Sequence, residues 1–448
     1  MLELEVVPER SLGNEQWELV LGMAFSQVVH ILQQQFHTVK NVQVIYSELN
    51  PLVMDLIINL SQDGIRLIFD PLTQRLKIIE VYCMNKTKLK YCGNVFCSPE
   101  VPPTLEQIDH SFGATHPGGN CVLRNKIPSL GTTGRNHWHM KLFTEYHSSQ
   151  QVFVLNFRGL TFAFAIDPKL QPRYAHGVGS LQFGSFPVVS KMSIYSGNSL
   201  SETRAPSLPN NSFCNHCYLE NLDVLREGDE TIGIKLRIIT EDLDSNKLLE
   251  FRKQIMTKVI KFGDSAQDVT SALGSPSKVF YKSEDKMKIH SPNSHRYRKW
   301  SCSDYFYNYF TLGIDVLFDA KSHRVKKFIL HTNYPGHYNF NIYFRCNFNL
   351  PIEVKASSEP ENITLVDVSD KKQIITAFTK WDEMEELLKK PLERPVVLNR
   401  ASTHNATNPF GSTCCYGYQD IIFEVMPNKH LASVTLYQKK KIAKNLDV

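Results

Sequence analysis

The chain has 448 residues, 42% of them hydrophobic and 21% charged, with 22 Gly and 22 Pro. Collagen-like, coiled-coil and wholly disordered chains are excluded by that balance, and the length allows two to four domains with substantial cores. Fifty Lys and Arg against 45 Asp and Glu leave a formal charge of +5, below the strongly basic balance of a dedicated nucleic-acid module.

The N-terminal Met1-Leu2-Glu3-Leu4-Glu5 carries two acids and lacks the basic start and apolar run of a secretory signal. The apolar stretches Leu52 to Leu60 and Val152 to Ile166 are interrupted by polar residues and fall short of the ~20 residues of a membrane-spanning helix. A cytoplasmic protein with reduced thiols is therefore expected from the ten scattered cysteines.

In chain order, Gly22 opens a helical pattern of Phe25, Val28, Val29 and Leu32. A hairpin follows in Gly64-Ile65-Arg66-Leu67-Ile68-Phe69-Asp70 and Arg75-Leu76-Lys77-Ile78-Ile79. The same order returns with Gly263, Ala266, Val269 and Leu273, then Gly313-Ile314-Asp315-Val316-Leu317-Phe318-Asp319 and Arg324-Val325-Lys326-Lys327-Phe328. In this second copy Asp264 or Ser265 caps the helix, Gly274-Ser275-Pro276 stops it, and Lys278-Val279-Phe280-Tyr281 is a strand. Arg158 to Asp167, and Asp420 to Val425 with Ala432 to Tyr437, echo the hairpins more weakly.

The expected class is α+β, with repeated helix-plus-antiparallel-hairpin units in two pseudo-equivalent halves. The first half covers residues 1–187, with units at about 12–82 and 104–168. Residues 188–215, rich in Ser, Pro, Asn and Gly, form a linker or disordered loop. The second half covers residues 216–437, with units at about 245–350 and 371–437, and 438–448 form an atypical tail. Leu248, Leu249, Phe251, Ile255 and Val259 give a long helix over 245–260, and a further helix is expected from Lys371 to Lys389, ended by Lys390-Pro391.

Catalytic, cofactor-binding and metal-binding residues are not assigned. Cys214-Asn215-His216-Cys217 has the spacing of half a zinc site without a second pair. His137-Trp138-His139 puts two imidazoles on one strand face, the basis for an alternative reading as a metal-dependent enzyme. Gly118-Gly119-Asn120-Cys121 reads as a turn with a packed thiol, and Gly177-Val178-Gly179 is only a fragment of a phosphate-binding loop. His295-Arg296-Tyr297-Arg298-Lys299-Trp300 reads as an exposed loop, so no nucleic-acid partner is assigned. Trp17 and Val20 in Glu15-Gln16-Trp17-Glu18-Leu19-Val20 fit the aromatic-x-x-aliphatic pattern that docks on autophagy ubiquitin-like modifiers. Their spacing also suits core positions at the start of the first helix. Tyr46-Ser47-Glu48-Leu49 fits the same pattern.

Four strings, Leu2 to Pro8, Phe112 to Asn120, Tyr305 to Asp315 and Phe328 to His337, make the chain resemble the phagophore assembly factor family from residue 1 to about Tyr437. The resemblance departs at Gln438 to Val448. It implies a non-enzymatic autophagy factor without cofactor, recruited with a WD-repeat propeller partner to the preautophagosomal structure, where the complex recognises a phosphoinositide membrane. A scaffold in transport from the trans-Golgi to the plasma membrane is the alternative within the same class. The lysines 439–441 would assist membrane recruitment only modestly.

Overall fold

In the computed structural model, residues 1–112, 143–147, 152–165, 188–207, 217–241, 253–282, 303–353, 372–388, 394–399 and 410–438 are described. The chain forms two compact units, Met1–Ser212 and Phe213–Val448.

In the first unit the elements are β1 (Leu2–Val7), β2 (Ser11–Gly13), β3 (Glu18–Val20), α1 (Phe25–Gln34), β4 (Val42–Ile45), β5 (Leu56–Leu60), β6 (Ile65–Phe69), β7 (Leu76–Val81), β8 (Thr87–Tyr91), β9 (Asn94–Cys97), α2 (Leu105–Phe112), β10 (Phe143–His147), β11 (Val152–Phe157), β12 (Leu160–Ala165) and β13 (Val189–Tyr195). The second unit continues with β14 (Cys217–Glu227), β15 (Glu230–Glu241), β16 (Lys253–Lys261), α3 (Ala266–Leu273), β17 (Lys278–Tyr281), β18 (Tyr305–Tyr309), β19 (Ile314–Phe318), β20 (Val325–His331), β21 (Phe348–Glu353), β22 (Lys372–Thr376), α4 (Trp381–Leu387), β23 (Val396–Leu398), β24 (Thr413–Tyr418), β25 (Ile421–Val425) and β26 (Leu431–Tyr437).

Among the described residues, each unit holds a five-stranded and an eight-stranded sheet. The orders β3-β2-β1-β8-β9 and β16-β15-β14-β21-β22 correspond, each with one parallel pair at its centre (β1 with β8, β14 with β21). The eight-stranded sheets, β10-β11-β12-β13-β7-β6-β5-β4 and β17-β18-β19-β20-β26-β25-β24-β23, each join two four-stranded meanders through their last strands. A short helix precedes each meander. All four meanders shift register between their third and fourth strands, at Ile68/Phe69, Ala163/Phe164, Leu317/Phe318 and Glu424/Val425. Such a bulge adds local twist and keeps the next side chain on the core face.

These observations overturn the α+β helix-plus-hairpin reading. Among the described residues 49% lie in strands and 12% in helices, so the protein is mainly β. The hairpins are parts of longer meanders that complete their hydrogen bonding only in the joined sheets, whose outer strands lie far apart in sequence. The helix expected over 245–260 is replaced by β16 from Lys253 onward, where Ile255, Thr257, Val259 and Ile260 are β-branched and pair with β15. Where a helix is expected from Lys371 to Lys389, the described residues hold β22 at Lys372–Thr376 and a helix at Trp381–Leu387 alone. The stretch read as a linker from 188 contains β13, which joins the two meanders of the first unit.

The helices obey the anticipated spacing. In α1, Phe25, Val28 and Leu32 are buried, and the Ala24 N–H donates to Gln27 Oε1 at 3.2 Å. In α3, Ser265 caps the first turn by accepting from Asp268 N at 3.2 Å, while Asp268 accepts from the Ser265 N–H at 2.9 Å. In the second unit Leu222, Leu236 and Phe348 of the five-stranded sheet share one core with Val269 of α3, Trp381 of α4, and Ile314, Phe328, Phe423 and Val434 of the eight-stranded sheet. That core covers one face of the large sheet and leaves the opposite face for other uses.

His430 sits at the rim of this core. Its side chain is 1% exposed, its ring lies 4.7 Å from that of Tyr334, and neither ring nitrogen has a partner among the described residues. Burial, with Lys380 and Arg345 nearby, pushes its pKa down to about 4. The unfolded chain therefore takes up this proton first as pH falls from 6.5, and stability is lost between pH 6.5 and about 4, in all by about 3 kcal/mol. His430→Phe is expected to leave stability at pH 7 unchanged or raised, and to flatten that acid dependence; urea titrations of both proteins at pH 7, 5.5 and 4 measure it.

Candidate functional site

Because side chains alternate along a strand, the residues between core positions of the second eight-stranded sheet point to its other face. There they line a groove of about 770 Å³. β18 contributes Phe306 and Asn308, β19 Asp315 and Leu317, β20 Lys327, Ile329 and His331, β25 Ile422 and Glu424, and β26 Ser433 and Thr435. Tyr338, Ile342 and Tyr343, from the segment after β20, form one wall, and Lys278 and Phe280 of β17, with Lys282 just beyond it, form another.

Two buried polar clusters support the groove. Asp315, 6% exposed, accepts from Asn308 Nδ2 at 2.7 Å and from the Tyr343 hydroxyl at 2.9 Å, and its other oxygen lies 2.8 Å from His331 Nε2. The His331 and Tyr343 rings stack at 3.7 Å. Burial, reinforced by the Asp315 charge, pushes the Tyr343 phenol far above its ordinary value, so it serves as a neutral donor. Glu424 accepts from Thr413 Oγ1 at 2.8 Å and Ser433 Oγ at 2.7 Å, with His337 Nε2 at 3.4 Å. Burial alone would raise its pKa, but His337 and the two hydroxyls outweigh that and hold it down to about 2.

This arrangement suits binding better than proton transfer. A carboxylate held at about 2 is a poor base at neutral pH, and the Ser433 hydroxyl donates to that carboxylate rather than to an imidazole that could activate it. Both carboxylates are hydrogen-bonded inside the sheet, whereas the lysines lining the groove have no ion-pair partner among the described residues. Lys327 is half-buried, and burial with Lys282 and Lys326 nearby lowers its pKa.

None of these groove residues was singled out by motif or spacing. A signal did exist in the mirrored strings. Tyr82 N donates to Gly64 O at 2.8 Å and His331 N to Gly313 O at 2.9 Å, which makes Tyr82 equivalent to His331 and Arg66 to Asp315. In the first unit Arg66 lies 4.3 Å from the centre of the Tyr82 ring and pairs with Glu80 at 3.3 Å. A cation at the third residue of one string and an acid in the other mark where the sheets diverge.

The residues picked out from the sequence are dispersed. Trp17 and Val20 are each 8% exposed; Val20 belongs to β3 and pairs with Ser11, while Trp17 closes the β2–β3 turn through its carbonyl. Both are buried at the β2–β3 hairpin rather than at the start of a helix. Tyr46 is half-buried and Leu49 is 76% exposed, just beyond β4. Residues His137, His139, Cys121, Cys214, Gly177 to Gly179, 295–300 and 439–441 lie outside the described residues. Cys217 begins β14. No group of three or more His, Cys, Asp or Glu that could hold a metal occurs among the described residues. Burial pushes the Cys97 thiol up to about 12.

The family model described as phagosome assembly factor 1 matches residues 15–437. A PHAF1 protein of Drosophila melanogaster is 52% identical over 442 residues, 98% of this chain and 94% of its own. PHAF1 proteins of Caenorhabditis elegans and Arabidopsis thaliana are 34% and 31% identical, covering 98% and 93% of this chain and 95% and 90% of theirs. No solved structure matches the chain. A family match spanning both units, joined by relatives aligned over nearly their full lengths, settles the kinship: the chain belongs to the phagosome assembly factor 1 family.

Proposed function

We propose that this protein is a non-enzymatic autophagy factor, recruited with a WD-repeat propeller partner to the preautophagosomal structure, where the complex recognises phosphoinositides. The observation that carries the autophagy role is the family match over residues 15–437, whose description names assembly of a membrane compartment. The groove agrees with it, since its carboxylates are engaged internally and its open surface is apolar and cationic, which suits a binding protein. None of the helices among the described residues is long and apolar enough to cross a membrane. Peripheral recruitment through a partner is the corresponding mode.

Affinity capture of the tagged protein from fed and starved cells tests the proposal, with imaging of autophagosome precursors alongside. Recovery of a propeller protein and starvation-induced puncta are expected. Capture of the chain alone, diffuse in both conditions, overturns the reading. Flotation with phosphoinositide vesicles then separates the roles: the complex is expected to float and the isolated chain to bind weakly.

A further inference from the structure

The outer strand β17 combines three features. It pairs only with β18, and no other described strand covers its second edge. All four of its residues are exposed, Val279 at 41%, Phe280 at 48% and Tyr281 at 65%. Lys278, Phe280 and Lys282 follow one another at strand period on the groove side, and neither lysine has an ion-pair partner among the described residues. Lys282 N donates to Asp304 O at 2.9 Å. By the alternation of an antiparallel ladder, the backbone groups of Val279 and Tyr281 therefore face outward, where a further strand would meet them.

We propose that β17 is a docking edge for an extended acidic segment of a partner protein, which adds as a strand outside Lys278–Tyr281 and sets an apolar side chain against Phe280 between two carboxylates facing Lys278 and Lys282. Charge selects this occupant. The nearby acid Asp304 is engaged by Lys326 at 3.0 Å, and the groove carboxylates are hydrogen-bonded within the sheet, so among the described residues the charges this edge presents without an ion pair are cations. The corresponding outer strand of the first unit, β4, is exposed to the same degree but carries Val42, Gln43, Val44 and Ile45, with no cation. The partner's pattern is acid-x-apolar-x-acid, which reads alike in either strand direction. The assignment stands independently of the propeller partner.

The test uses the full-length chain and a fluorescein-labelled ten-residue peptide centred on Asp-Thr-Phe-Thr-Asp, read by fluorescence anisotropy. Saturable binding is expected, weakened about tenfold by K278E/K282E and by salt. Val279→Pro, which keeps every charge but removes an outward N–H, is expected to weaken it comparably, and a peptide with Lys in place of both Asp is expected not to bind. Circular dichroism confirms that the variants fold. No saturation at ~1 mM peptide, or equal binding by wild type and both variants, overturns the proposal. So does sedimentation with phosphatidylserine vesicles that depends on the two lysines while the peptide stays free, since the edge would then be a membrane surface. Self-association of the chain abolished by Val279→Pro without peptide likewise overturns it, by assigning the edge to a second copy.

Discussion

Asp315→Ala is expected to destabilise the second unit by about 3–5 kcal/mol, because the substitution removes an acceptor shared by three buried donors. The Tyr343 hydroxyl, the Asn308 amide and the His331 ring all converge on this carboxylate at 2.7–2.9 Å. Removing it takes the acceptor from the Tyr343 hydroxyl and the His331 ring, leaves the Asn308 amide only the Tyr343 oxygen at 3.2 Å, and opens a cavity in the floor of the groove. Asp315→Asn keeps the shape and one acceptor oxygen but turns an amide toward groups that already donate, so about half that loss is expected. Double replacement with Tyr343→Phe should cost less than the sum of the two single changes, since Tyr343 no longer needs the acceptor. Urea unfolding of the four proteins at pH 7 measures the cycle. Additive losses would mean that the hydroxyl and carboxylate do not act together.

The network also shows which information local sequence carries. The turn glycines, the helix faces beginning at Phe25 and Ala266, and the strands around Ile65 and Ile314 were legible because their signals repeat within ten residues. Sheet partners were not. Leu2 pairs with Thr87, and Leu222 with Phe348, so the five-stranded sheets depend on contacts that no local period records. Without those neighbours, Ile255 and Val259 fit a helix as well as an edge strand, and the chain read as α+β. The groove was hidden for the same reason: its lining spans residues 278–435 and becomes one surface only when two meanders join through β20 and β26. Trp17 shows the opposite limit. Its local motif was clear, but a motif cannot report that the indole is buried.

The glycines that made the mirrored strings visible are expected to be among the least replaceable positions. Gly313 has φ +71°, and a Cβ there would collide with the Phe344 carbonyl oxygen and lie 2.9 Å from Cys346 N. Its counterpart Gly64 has φ +69°, and a Cβ would run into the Cys83 side chain, with the Cys83 carbonyl oxygen 3.0 Å away. In both places the glycine carbonyl accepts from the end of the second strand after it, at Tyr82 beyond β7 and His331 of β20, so the turn cannot open without breaking that bond. Gly313→Ala should therefore combine about 1–2 kcal/mol of left-handed backbone strain with about 1–3 kcal/mol of overpacking against backbone that has little room to yield. Gly93 separates the two contributions, having φ +77° with nothing within 4 Å of the added atom, so that Gly93→Ala should cost the strain alone. Denaturant midpoints are expected to fall in the order Gly93→Ala, then Gly64→Ala and Gly313→Ala together. An equal, small effect at all three would show that the close approach at the two strand entries relaxes freely, and that the recurrence of glycine there reflects backbone conformation alone.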